Sequence, residues 1–222
     1  MRNLSRLQRL RRAEDILRKR KPMETTAMIS ESEKFSLAII GNGPSAKKNK
    51  IGDKIDSYDY VLRFNQFDIE GYEEYVGTKT THLSLNMFCI DRYEVLFKTI
   101  CKNEKYLRNL NTVLLYAKPK DDAVNILYSF IQLNCFEIIT DIYKRDIDLN
   151  VMRMHPSMGV RTIHYMLHNP YIKQTIGVAG MDFIDGVHGH YNNIPYEAVH
   201  DISSEQKWLN KRLIDNSIAL IQ

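Results

Sequence analysis

Gly41-Asn42-Gly43 closes a short apolar run, Ser36 to Ile40, and a second run downstream carries Arg63 and Asn65 two residues apart. Glycine lets the backbone bend sharply and approach a ligand closely. Asn42 falls at the carboxyl end of the first run, the edge at which open α/β sheets bind ligands. An amide both donates and accepts, so Asn42 and Asn65 suit a ribose, a base or a phosphate, although a Gly-Asn-Gly tripeptide and a strand-end asparagine also build ordinary turns. Arg63 could face a phosphate or a structural carboxylate. Farther on, Ser157 and Gly159 follow Pro156 where a helix opens; free N–H groups there favour an anion, and the same serine serves as a plain N-cap. Histidines gather late, at 188, 190 and 200. With an ordinary pKa of about 6.5, imidazole can act as a base near neutral pH, and it also caps helices and lines cores. Asp146-Ile147-Asp148 is a two-carboxylate pattern that could hold a divalent cation. Three-residue patterns arise by chance in a chain with 27 acidic residues, and this one reads as a surface loop.

These residues need a scaffold that brings strand ends together. Apolar runs near 37–40, 60–64, 81–85, 112–116, 136–140 and 175–179 read as strands, with helical segments near 91–103, 121–133 and 160–168 between them. Such alternation predicts an α/β domain with a mostly parallel sheet covered on both faces. In the last helix, Ser203 and Gln206 form a capping box, Glu205 sits in the positive first turn, and Leu209, Leu213, Ile214, Ile218 and Ile221 make one apolar stripe. His200 would lie on the loop before that helix. The stretch 184–199, rich in Gly, His, Tyr and Asn, reads as a long loop able to close over a site.

At 222 residues and 44% hydrophobic, the chain can bury one good core. The division expected is a basic helical arm and linker, 1–34, and one domain, 35–222. Residues 2–21 hold nine Lys/Arg against Glu14 and Asp15, a net of +7 in a chain of formal charge +4, so the remainder stands at −3. Leu4, Leu7, Leu10, Ile16 and Leu17 suit one helical face of the arm, which Pro22 ends. Residues 1–21 could lie on an anionic membrane surface or form a solvated, partner-packed basic helix. Nucleic-acid binding is not expected, because no aromatic side chains interleave the charges. No apolar run reaches transmembrane length and no secretory core is seen. Cys89, Cys101 and Cys135 fit no metal-ligand spacing.

The segments IDSYDYVLRFNQF (55–67) and YVGTKTTHLSLN (75–86) resemble, in order and distance from the glycine turn, the large sialyl motif of animal-type sialyltransferases. GNGPS with the later FNQF resembles bacterial sialyltransferases. HPSMG (155–159) with GMDF (180–183) is similar to the small motif, and His200 with Glu205 five residues on to the very small motif. GHYNN (189–193) is a looser match to the family's His-Tyr motif. The resemblance runs from Phe35 to Glu205 and implies a single Rossmann-like domain of the GT-A-like variant sialyltransferase type.

The resemblance further implies a metal-independent, inverting transfer of sialic acid from CMP-sialic acid to a glycan or glycolipid acceptor, with no cofactor beyond the donor. It assigns His200 as general base and His190, or else His188, as the group at the departing phosphate. Gly41, Asn42, Gly43, Asn65, Ser157 and Gly159 would bind the donor. Met158 replaces a usual serine or threonine that would help hold the sugar carboxylate, which keeps open another CMP-activated acidic sugar, such as the octulosonic acid Kdo. A non-catalytic nucleotide-binding module of a glycan-assembly complex is a third reading. The cysteine that opens the family's large motif falls at Leu37 and the small motif has none, so the family's linking disulfide is not expected. A reducing, cytoplasmic setting, peripheral at the inner face of a membrane, follows.

Overall fold

The computed structural model describes residues 34–86, 101–116, 136–139, 156–169, 171–173, 175–182 and 201–222. Seven strands among them form one sheet: β1 (Leu37–Ile40), β2 (Tyr60–Phe64), β3 (His82–Asn86), β4 (Thr112–Tyr116), β5 (Phe136–Ile139), β6 (Ile176–Ala179) and β7 (Ile218–Leu220). Their order is β5-β4-β3-β2-β1-β6-β7, and every neighbouring pair is parallel. The six expected strands are present within a residue at each end, and the α/β, Rossmann-like reading stands. The chain lays β2 to β5 outward on one side of β1, then returns to place β6 and β7 on the other. The β1/β6 seam is therefore the topological switch point, where connections diverge and open a crevice.

Side chains alternate across the sheet, which separates two cores. Leu37, Ile39, Leu62 and Phe64 join Val160, Ile163 and Met166 of α3 (Met158–Leu167) and Trp208 and Leu209 of α4 (Ile202–Ile214). Ala38, Ile40 and Val61 face the other way, onto Ile51 and Ile55 at α1 (Gly52–Asp56), and the short α2 (Glu73–Val76) lies between β2 and β3 in the chain. At an apolar residue's worth of about 1.5–3 kcal/mol each, these layers are what hold the strand ends in register.

The C-terminal segment departs from expectation. The helix starts earlier than a Ser203 cap allows: Asp201 is the N-cap, its carboxylate accepting from Ser204 N–H at 3.2 Å and Ser204 Oγ at 2.7 Å. It also ends sooner. Asn216 takes φ 58°, Ser217 N–H donates to Asp215 Oδ1 at 3.0 Å, and the chain then forms β7 beside β6. Ile214 is 82% exposed, so the supposed stripe stops at Leu213, and Ile218 belongs to the sheet. The arm, most of the segment at 91–103, and the segment at 121–133 lie outside the described residues.

Candidate active site

Beyond Ile40 and Ala179, the β1/β6 pairing continues through Gly41 N–H to Ala179 O at 2.8 Å and Gly43 N–H to Gly180 O at 2.9 Å. The two chains come close enough that a Cβ on Gly41 would stand 2.2 Å from Gly180 O. One on Gly43 would stand 2.5 Å from the Asp182 carboxyl carbon. Gly43 itself is extended, at φ −66° and ψ 155°, a conformation open to any residue. Both glycines thus serve approach to β6, where the sequence suggests approach to a ligand. Gly180, at φ 65°, supplies the left-handed step that makes the crossing possible.

Asn42 reaches the other way. Its Nδ2 donates to Phe64 O at 3.2 Å and Gln66 O at 2.9 Å, tying the turn to the exit of β2 on both sides of Asn65. The Oδ1 has no partner among the described residues. Asn65 adopts φ 42°, donates its N–H to Ser84 O at 2.9 Å, and accepts Asn86 N–H on Oδ1 at 2.9 Å. Asparagine tolerates the left-handed region better than most residues, so Asn65 shapes the β2 exit as the alternative reading of a strand-end residue anticipates.

Arg63 is not at the phosphate edge. It is 1% exposed, and its guanidinium donates to the carbonyls of Val76 (2.7 Å), Gly77 (3.3 Å) and Lys79 (2.9 Å) and to Thr80 Oγ1 (3.0 Å). The guanidinium is thus turned onto the backbone of the 76–80 loop. The same loop gives its N–H groups to an acid: Asp56 accepts from Thr78 N–H at 2.9 Å on each oxygen and from Lys79 N–H at 2.8 Å. Below it, Thr81 Oγ1 contacts His82 Nδ1 at 2.8 Å, and burial holds His82 down at about 4, so the ring is neutral near pH 7.

The third wall is the start of α3. Ser157 is its N-cap, Oγ accepting from Val160 N–H at 3.4 Å. The Ser157 N–H itself donates to Glu205 Oε1 at 2.5 Å. That N–H, expected to face an incoming anion, is thus taken by the protein's own carboxylate. Glu205 is fully buried, and burial raises its pKa against the opposing pull of the Ser157 bond and the Arg161 charge. The N–H groups of Met158 and Gly159 have no acceptor among the described residues, as is usual in the first turn of a helix. A Cβ on Gly159 would stand 2.5 Å from Met181 Cε, and Met181 Sδ would lie 2.7 Å from one on Gly41. Met181 therefore fills the space between the turn and the helix start.

Gly41, Asn42, Gly43, Asn65, Ser157 and Gly159 are in this way brought to one edge of the sheet, at the switch point. His200, His190, His188 and the pair Asp146 and Asp148 lie outside the described residues; Asp201, which follows His200, caps α4. Three acids escaped the sequence reading as builders of the site: Asp56, Glu205 in its hold on Ser157, and Asp182, which accepts Ser45 N–H on Oδ2 at 2.8 Å and the Ser45 hydroxyl on Oδ1. Asp182 and Glu205 both lie in motifs noted in the sequence, GMDF and the His200–Glu205 pair, but neither motif names the partner its carboxylate holds.

The model of glycosyltransferase family 29 (sialyltransferase) matches residues 6–181. The type 2 lactosamine alpha-2,3-sialyltransferase of Homo sapiens is 26% identical, covering 82% of this chain and 62% of its own length. The chain thus spans about three fifths of such relatives. Sialyltransferase-like protein 2 of Arabidopsis thaliana is 51% identical over a shorter stretch, 22% of this chain and 11% of that protein. The crystal structure of a mammalian sialyltransferase in complex with Gal-beta-1-3GalNAc-ortho-nitrophenol superposes with a TM-score of 0.59 at 20% identity, covering 95% of this chain and 78% of the other.

Proposed function

The chain belongs to glycosyltransferase family 29, and from that premise we propose that it transfers sialic acid from CMP-sialic acid to a glycan hydroxyl, inverting the anomeric centre without a metal. The observation that carries this reading is the meeting of the Asn42 Oδ1, the β2 exit and two N–H groups of a ten-residue helix at the β1/β6 switch point. Amide and backbone groups can hold an uncharged nucleoside, while a helix start favours an anion such as phosphate or a sugar carboxylate.

In the proposed step the acceptor oxygen attacks the anomeric carbon as the bond to phosphate breaks. CMP departs with the electron pair, and His200 takes the hydroxyl proton. His190 donates a hydrogen bond to the leaving phosphate, a monophosphate that places fewer charges on the enzyme than a diphosphate would. The arm, 1–21, would seat the enzyme on an anionic membrane surface from the cytoplasmic side. Its partners in this reading are the CMP-sugar and a glycan or glycolipid, with no nucleic acid.

Met158 favours one second reading. Its side chain packs on the apolar cluster, so the first residue of α3 offers no hydroxyl to a sugar carboxylate. Kdo or another CMP-activated acidic sugar then becomes the donor on the same scaffold. Purified full-length protein offered CMP-sialic acid or CMP-Kdo with galactose-ended acceptors decides between them. CMP release and product from the sialyl donor alone support the first reading, and release from neither donor removes both.

A further inference from the structure

We propose that Asp182 is a positioning residue for the donor site, holding the Gly41–Ser45 turn in its receptive form through a clamp on Ser45; the inference rests on the donor reading above. At a switch point the two connections part, so regular pairing cannot set the width of the crevice. Here strand pairing ends with Gly43 N–H on Gly180 O. Two residues farther along each chain, the Asp182 carboxylate spans the gap and binds Ser45 through both its N–H and its hydroxyl. Two bonds to one residue fix the turn's rotation as well as its distance.

The surroundings indicate that the acid is there for this contact. Asp182 is 7% exposed, and no lysine or arginine among the described residues pairs with it. A buried carboxylate without a cation is costly unless its oxygens are hydrogen-bonded, and among the described residues its hydrogen bonds come from Ser45. Gly43 makes room for it, since a Cβ there would lie 2.6 Å from Asp182 Oδ2. The turn so gripped carries Asn42, whose Nδ2 reaches Phe64 and Gln66 and whose Oδ1 is left for the donor. Loosening Ser45 therefore changes where Asn42 aims. Met181, wedged between Gly41 and Gly159, sets the opposite wall from the same three-residue segment.

The test uses full-length protein and the variants Asp182→Ala, Asp182→Asn, Ser45→Ala and the Asp182→Ala/Ser45→Ala double. Amide hydrogen exchange over 42–48, CMP affinity by calorimetry, and kcat and KM for the donor are read together. Asp182→Ala should speed exchange and raise both CMP Kd and donor KM by about tenfold, with kcat within about threefold. Asp182→Asn, which keeps an acceptor for Ser45, should recover most of the loss. The double variant should be no worse than Asp182→Ala, since the two residues share one contact. Unchanged CMP affinity in Asp182→Ala, an Asn variant as weak as Ala, or additive losses in the double would overturn the clamp. If Asp182→Ala does not fold, Ser45→Ala, which loses the hydroxyl bond and keeps the N–H bond, should show the same changes at smaller size, and unchanged exchange and CMP affinity in it overturn the clamp. A wild-type chain that binds no CMP defeats the donor reading, and exchange alone then decides the clamp: faster exchange in Ala but not in Asn upholds it, and unchanged exchange ends it.

Discussion

Glu205 is the best place to perturb the hold between α4 and α3, because one buried carboxylate oxygen receives the Ser157 N–H at the helix start. Glu205→Ala would strand that N–H, at about 1–3 kcal/mol, and would remove one buried methylene worth about 0.8 kcal/mol. The sum is about 2–4 kcal/mol, and at about 2–4 °C per kcal/mol for a chain of this size the melting point should fall by roughly 4–16 °C. Glu205→Gln keeps an acceptor and should stay within about 1 kcal/mol. The pH dependence adds a second readout. Burial raises the native pKa above the ordinary 4.5, so between the two values the native state binds more protons than the unfolded state. Stability contributed by this group therefore falls as pH rises through that window, and Gln should remove the fall. Urea unfolding of the three proteins at several pH values measures both effects. If Gln is as damaging as Ala, the charge facing Arg161 holds the helices and not the accepting oxygen, and the reasoning fails. An Ala variant as stable as wild type would refute it outright.

His82 supplies the opposite slope: its pKa is lowered by burial to about 4, so the unfolded state binds the extra proton and stability rises with pH from about 4 to 6.5. His82→Phe, measured by the same unfolding series, should flatten that acid limb. His200→Ala, once circular dichroism shows it folded, should lower turnover by roughly 100-fold to 10,000-fold while CMP binding measured by calorimetry persists. Exhaustive chelation should leave the rate intact, and a rate that collapses and returns with Mg²⁺ or Mn²⁺ would bring Asp146 and Asp148 into the mechanism. Removing residues 1–21 should preserve turnover on a soluble acceptor and abolish salt-sensitive binding to anionic vesicles in a flotation assay.

The strands were legible because each is an apolar run stopped by glycine or a polar turn, a signal that needs no tertiary information. β7 was not. Ile218 and Ile221 continue the spacing of Leu209 and Leu213, so a helical stripe explains them as well as a strand does. The Asp215-Asn216-Ser217 turn, with Asn216 at φ 58°, is what separates the two. The placement of Asn42 and Asn65 at strand exits was legible for the same reason as the strands. Their partners were not, because the Asn42 amide is spent on carbonyls 22 and 24 residues away, a distance that only the closed sheet makes short.

The motif VGTKT shows why so many recognisable residues turn inward. Its loop would leave both carbonyls and N–H groups without strand partners, and the protein answers each with a group of opposite character. Arg63 supplies donors to the carbonyls of Val76, Gly77 and Lys79, while Asp56 supplies acceptors to the N–H groups of Thr78 and Lys79. Neither half is dispensable: a buried guanidinium without those carbonyls, or those N–H groups without the acid, is an unsatisfied polar group costing kilocalories. The two residues and the loop between them therefore occur together as one device. Its effect on the site is indirect, since it anchors β2 and the entry to β3, the two strands at whose far ends Asn65 and Asn86 pair. A sequence signature of this kind reports the frame around the proposed donor site, and most of its recognisable residues serve that frame.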